Sequence, residues 1–212
     1  MPLHRRGRRV IGIDLSVAML DRYRAKAAAE SLEAPAVLRG DATRLPFRAG
    51  SFDAVIEVHV LHLIPSWRAA VAEARRVLLS GGVLLVSRRL WDRSEGQGPR
   101  ALARKRHATI LAGWGLRPER VGVRGDEEMI AGLIELGGRV EELEPVSWRE
   151  RETWAEHLGI LERRVWSDAW QVPEGPWRDA IRRLRAELDA EGVDVHTPVT
   201  VERHVDLAAI HF

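Results

Sequence analysis

In the first half of the chain, short unbroken apolar runs alternate with longer stretches whose apolar positions recur at helical spacing. Val10–Ile13 is a strand-length run closed by Asp14. Val17–Glu30, rich in Ala and preceded by Ser16 as an N-cap, reads as a helix. Ala36–Arg39 is a second strand ended by Gly40-Asp41, and Phe52–Val60 is a third, more hydrophobic one. Trp67–Leu79 carries Val71, Ala74, Val77 and Leu78 at helical spacing. Ser80-Gly81-Gly82 breaks it, and Val83–Ser87 reads as a strand buried on both faces. This alternation predicts βαβ units with right-handed crossovers. The expected fold is therefore α/β and Rossmann-like, a mostly parallel, doubly wound sheet with helices on both faces.

The second half reads differently. Pro99–Ala112, Asp126–Leu136, Arg151–Arg164 and Trp177–Glu191 have helical patterns, Arg139–Trp148 reads as a strand, and Val199–Ala208 as a closing strand. Trp114, Trp148, Trp154, Trp166, Trp170 and Trp177 all fall here, as core filling between helices or as the wall of an aromatic cavity. No internal repeat, low-complexity tract or linker interrupts the chain, so a single domain over residues 1–212 is expected.

Composition narrows the partners. A chain of 212 residues with 45% hydrophobic content is long and apolar enough to build a core. It has no cysteine, which excludes disulfide frameworks, thiolate zinc sites and cysteine nucleophiles and suits a reducing, cytoplasmic compartment. No run of 18 apolar residues is present, so no membrane span is expected, and the basic start MPLHRRGRRV leads into no signal-like apolar stretch. The pI of about 9.6 suggests nucleic acid. Yet only Lys26 and Lys105 are lysines, the arginines are spread along the chain, and Arg5, Arg6, Arg8 and Arg9 are the one tight cluster. A nucleic-acid binder concentrates its charge on one face, so none is expected as a partner.

In an open α/β sheet, ligands bind beyond the carboxyl ends of the strands. Asp14 stands there after the first strand, either to accept hydrogen bonds from ribose hydroxyls or to complement the helix macrodipole. Asp41 follows the second strand. Its carboxylate suits an exocyclic amine such as adenine N6, with the Ala42 amide beside it, or else it closes an Asx-turn. Glu57 and His59 lie near the end of the third strand, where side chains are expected to face the crevice. His59-x-x-His62 has no apparent third ligand, so no metal is expected. Gly96-x-Gly98-x-x-Ala101 fits a dinucleotide fingerprint only formally, because Arg88–Glu95 separate it from its strand.

The segments VIGIDLSVAML, LRGDATRLPFRAGSFDAVIEVHVLHLI and WRAAVAEARRVLLSGGVLLVS, in this order, resemble class I S-adenosylmethionine-dependent methyltransferases, particularly the ubiquinone and menaquinone methyltransferase group. The resemblance runs from about Val10 to Ser87. It implies S-adenosyl-L-methionine as cofactor, with Asp14 on the ribose, Asp41 and Ala42 at the adenine, and Leu15, Met19, Glu57 and Val58 as further binding positions. It implies a small-molecule acceptor and names no catalytic base, although His59 and His62 lie nearest. Residues 9–90 would form the cofactor-binding part, 91–198 a helical, substrate-side part, and 199–212 the closing strand. Ser80 departs from the family's Pro-Gly-Gly, and a nicotinamide-dependent oxidoreductase would share the ribose acid but not the pattern from Asp41 to Asp53.

The family opens with a strand and a glycine-rich loop of the type E/D-x-G-x-G-x-G, and only nine residues precede Val10 here. The first strand and helix of the family fold are thus expected to be missing or truncated. That strand is central, so its neighbours would be left with two apolar edges or forced to pair directly. The alternative reading is a non-catalytic homologue acting as an interaction module or homodimer.

Overall fold

A computed structural model describes residues 3, 6–30, 36–88, 98–119, 121–165 and 167–212. The first elements are β1 (Ile11–Asp14), α1 (Val17–Ala29), β2 (Ala36–Arg39) and β3 (Phe52–Glu57). A 3₁₀ turn at Leu61–Leu63, α2 (Trp67–Val77) and β4 (Leu78–Arg88) follow. The second half holds α3 (Pro99–Gly113), α4 (Asp126–Glu135), β5 (Arg139–Glu142), β6 (Val146–Glu152), α5 (Trp154–Glu162), α6 (Glu174–Ala190) and β7 (Val199–His211).

Several boundaries differ from the sequence pattern for local reasons. The third strand stops at Glu57 because Val60 and Leu61 turn their N–H groups onto the Glu57 carboxylate. The helix ahead of Ser80-Gly81-Gly82 stops at Val77, and the two glycines form an irregularity within β4 instead. Gly81 has φ +78°, and a Cβ on Gly82 would stand 3.0 Å from the Asp53 carbonyl oxygen of β3, so both positions favour glycine. The expected strand Arg139–Trp148 divides into β5 and β6 around Pro145. The helix expected from Arg151 begins at Trp154, where Thr153 and Glu156 form a reciprocal capping box. Ser16 caps α1 as anticipated, accepting from the Met19 N–H at 3.3 Å.

Among the described residues parallel pairing is confined to the first four strands, β1 with β2 and β3 with β4. Strand β7 is antiparallel to β4, β5 and β6, and so ties both halves of the chain together. Among the described residues β1–β2 is a sheet by itself, and the second sheet runs β3-β4-β7-β5 with β6 on the far part of β7. Among the described residues the outer edges of β1 and β3 are therefore unpaired, and the two strands do not pair with each other. Ile11, Leu38, Ile56 and Val58, on or beside these strands, are exposed.

Two apolar clusters hold the rest. One joins the sheet to α2 and α4 through Leu84, Val86, Ile210, Val71, Met129 and Leu133. There Trp67 packs so closely on Gly132 that a Cβ would meet the indole at 2.2 Å. The other joins α3, α5 and α6 through Leu111, Trp154, Leu158, Trp177, Leu184 and Leu188. Trp154 and Trp177 are thus core filling, whereas Trp114, Trp148 and Trp170 are exposed, and Trp91 and Trp166 lie outside the described residues. No helix among the described residues is long and apolar enough to cross a membrane.

Candidate functional site at the carboxyl ends of the parallel strands

Register places Asp14 opposite Arg39 at the carboxyl end of the β1–β2 pair, and the Gly40 N–H donates to the Asp14 carbonyl at 3.2 Å. Asp14 and the Gly40-Asp41-Ala42 turn are therefore neighbours. The half-buried Asp14 carboxylate accepts the Ser16 N–H through Oδ1 at 2.8 Å, and Oδ2 has no protein partner among the described residues. Leu15 and Met19, at the start of α1, are exposed apolar side chains beside it. Asp41 adopts the Asx-turn alternative, with Oδ1 accepting both the N–H and the hydroxyl of Thr43 at 2.8 Å. These bonds, the backbone one foremost, hold its carboxyl below the ordinary range. Ala42 packs partly buried against the sheet cluster.

The next loop is fixed from α2. Glu73 accepts the Leu45 N–H at 2.8 Å, and Arg76 pairs with Glu73 while donating to the carbonyls of Leu45 and Phe47. This clamp on the Leu45-Pro46-Phe47 turn has only an (i, i+3) Glu–Arg spacing as its sequence signal.

At the end of β3 the side chains do not all face the crevice. Glu57 turns inward and is buried, with Oε1 accepting the N–H of Val60 at 2.7 Å and of Leu61 at 3.1 Å. Its Oε2 is buried without a hydrogen-bond partner. Burial raises its pKa above the ordinary 4.5, against the pull of the two N–H donors. Val58 is exposed. His59 adopts a left-handed φ of +53°, uncommon for a non-glycine residue, and donates its N–H to the Ser87 hydroxyl of β4 at 3.0 Å. Burial, and then the charges of Arg100 and Arg104 on α3, push its imidazole pKa below 6.5. His62 is half-buried in the 3₁₀ turn, its carbonyl accepting the Gly122 N–H at 3.1 Å. No group of three or more His, Asp or Glu converges as metal ligands would among the described residues.

A buried polar knot at the base of α3 has no signal in local sequence. Glu152 Oε2 lies 2.8 Å from His157 Nε2 and 2.5 Å from an Arg203 guanidinium nitrogen, and Oε1 accepts the Arg100 N–H at 3.3 Å. It joins β6, α5, β7 and α3. Gly98 is required beside it, since a Cβ there would fall 2.4 Å from Glu152 Oε1. Two cavities, of about 440 and 410 Å³, open on the helical layer, between α3 and α6 and beside α5, away from Asp14 and Asp41.

The donor set at β1 and β2 suits an adenosine group. A half-buried carboxylate with one unclaimed oxygen stands beside a turn amide and exposed apolar side chains. Residues 1–86 match the family model described as a methyltransferase domain. Over 84 residues the chain is 42% identical to an uncharacterized 37.1 kDa protein in transposon TN4556 of Streptomyces fradiae, covering 40% of this chain and 24% of that one. Over 74 residues it is 39% identical to a demethylmenaquinone methyltransferase of Lactococcus lactis, covering 35% of this chain and 29% of that enzyme. The chain thus spans less than a third of the length of these relatives. The crystal structure of the YcgJ protein from Bacillus subtilis is 19% identical, covers 95% of this chain and 81% of its own, and superposes with a TM-score of 0.56, a likeness of fold. Residues 1–86 therefore resemble the methyltransferase domain family, and the chain has a Rossmann-like α/β fold.

Proposed function

We propose that this protein transfers a methyl group from S-adenosyl-L-methionine to a small-molecule acceptor. One observation carries the reading. Asp14 and the Asp41-Ala42 turn, matched to the methyltransferase family in sequence, sit side by side at the carboxyl ends of two paired parallel strands. Asp14 Oδ2 would hold the ribose hydroxyls, the turn at Asp41 and Ala42 would meet the adenine edge, and Leu15, Met19 and Val58 would cover it with apolar surface. Bound there, the cofactor would supply an activated methyl group. The protein's share is then orientation and exclusion of water. Acceptor choice would lie in residues 91–198, and the cysteine-free composition suits the cytoplasm.

Calorimetric titration with S-adenosylhomocysteine tests this. Saturable binding that Asp14→Asn weakens supports it, and the lack of any binding by the chain alone or with upstream sequence added overturns it.

A second reading, a non-catalytic module that associates through its sheet edges, is favoured by the unpaired β1 and β3 with exposed Ile11, Leu38 and Ile56. Sedimentation of a concentration-dependent dimer without cofactor affinity would select it.

A further inference from the structure

His157 on α5 is only 8% exposed, and its ring is fixed from one side. Its Nε2 lies 2.8 Å from Glu152 Oε2, and the same carboxylate accepts from the Arg203 guanidinium and the Arg100 N–H. A carboxylate so engaged only accepts, so His157 Nε2 carries the hydrogen and Nδ1 of the neutral ring keeps its lone pair. That Nδ1 is buried without a hydrogen-bond partner. The large majority of buried side-chain polar atoms have one, and this ring belongs to the wall of a cavity of about 410 Å³.

The other walls of that cavity sort by charge. Glu150 lies 3.7 Å from Arg203 Nε, Glu152 is held as above, and Glu156 accepts the Thr153 N–H at 2.8 Å. The acids are thus claimed within the fold. Arg151 and Arg163 line the same cavity, and both are exposed. Among the described residues their guanidinium groups have no ion-pair or hydrogen-bond partner. Gly159 adds space. It stands inside α5, where alanine would favour the helix more, and a Cβ there would come 3.3 Å from Arg163 Nη1.

Two free guanidinium groups disfavour a cation in the cavity and select an anion. The Nδ1 lone pair adds a demand for a hydrogen-bond donor. A hydrogen phosphate group meets both, with charged oxygens for the arginines and one remaining hydroxyl. Sulfate and carboxylate carry no such hydrogen. We propose that the cavity beside α5 binds a hydrogen phosphate group, its charged oxygens on Arg151 and Arg163 and its hydroxyl donating to His157 Nδ1. The site lies beyond residues 1–86 and does not rest on the methyl-transfer reading. A volume of about 410 Å³ leaves room for a small molecule that carries the phosphate.

Titration of the full chain with sodium phosphate and with sodium sulfate, read by calorimetry and by nitrogen NMR of the histidine rings, tests this. Phosphate is expected to bind saturably and to move the Nδ1 signal of His157, which His157→Gln identifies. Sulfate should bind about tenfold more weakly, the scale of one hydrogen bond to a charged group. Arg163→Gln, at an exposed position, should lose about tenfold in phosphate affinity and keep its denaturation midpoint. Gly159→Ala separates binding from folding, since the added Cβ should weaken phosphate binding while the midpoint holds or rises. Glycerol 3-phosphate at about pH 6, where a phosphate ester is partly protonated, distinguishes the sources. Tighter binding than inorganic phosphate at the same pH supports an ester as the ligand, and weaker binding supports the free ion. No saturable phosphate binding, equal affinity for sulfate, an unmoved Nδ1 signal, or undiminished binding by Arg163→Gln or Gly159→Ala would overturn the proposal.

Discussion

The stretch from β1 to β3 and the helical layer of α3, α5 and α6 solve opposite problems. The first carries the family motifs yet buries little, leaving Ile11, Leu15, Val17, Met19, Leu38, Ile56 and Val58 exposed. The second lies beyond the family match, yet Leu158, Leu184 and Leu188 are fully buried in a continuous cluster. Ligand-binding motifs need backbone ends and open surface, whereas a helical layer holds itself together only by its apolar face. Identity and stability are thus carried by different residues.

Core truncation should reveal the contrast most strongly. Leu184→Ala, at 0% exposure, is expected to cost about 2–5 kcal/mol in chemical denaturation, while Ile56→Ala, at 48%, should stay within about 0.5 kcal/mol. Equal costs would show that the surface around β3 is covered in solution. Next in size, Asp14→Asn should weaken S-adenosylhomocysteine binding about tenfold or more by calorimetry, with little change in melting temperature, because a hydrogen bond to a charged carboxylate is lost. Thr153→Ala removes half of the α5 capping box and should cost about 1 kcal/mol. An unchanged denaturation midpoint would mean that packing alone sets that helix start.

The smallest expected effect is a pH dependence. The folded-state pKa of Glu57 is raised by burial. Its contribution is therefore fully present below the ordinary 4.5 and lost as pH rises through the raised value. Glu57→Gln keeps an acceptor for Val60 and Leu61 but does not titrate. The stability difference between wild type and variant, measured by denaturant midpoints, should move in the variant's favour as pH rises through that window. A difference independent of pH would place the carboxylate in contact with water or a cation.

Much of the first half was legible in the sequence because its information is local. Ser16 as N-cap, the strand ends at Asp14 and Arg39, and the neighbouring Asp41 turn each depend on residues a few positions apart. Glu57 was not legible in this way. Its position at a strand end was clear, but whether the side chain meets the crevice or the backbone of Val60 and Leu61 depends on how the chain turns after it. The break at Pro145 and the early start of α6 at Glu174 were likewise hidden inside patterns that suit either continuation.

By itself the sequence determined the α/β alternation, the likeness over residues 1–86 and the identity of the acids at two strand ends, since 2.0- and 3.6-residue periods and caps are written within a few residues. Only the tertiary structure decided that β7 pairs with three strands, that β1 and β3 keep open edges among the described residues, and that Glu152 meets His157, Arg203 and the Arg100 N–H. Glu152 and Arg203 are 51 positions apart, and Arg100 and Glu152 are 52. Pairings at such separations are set by which elements the apolar clusters bring together, and no local pattern along the chain encodes them.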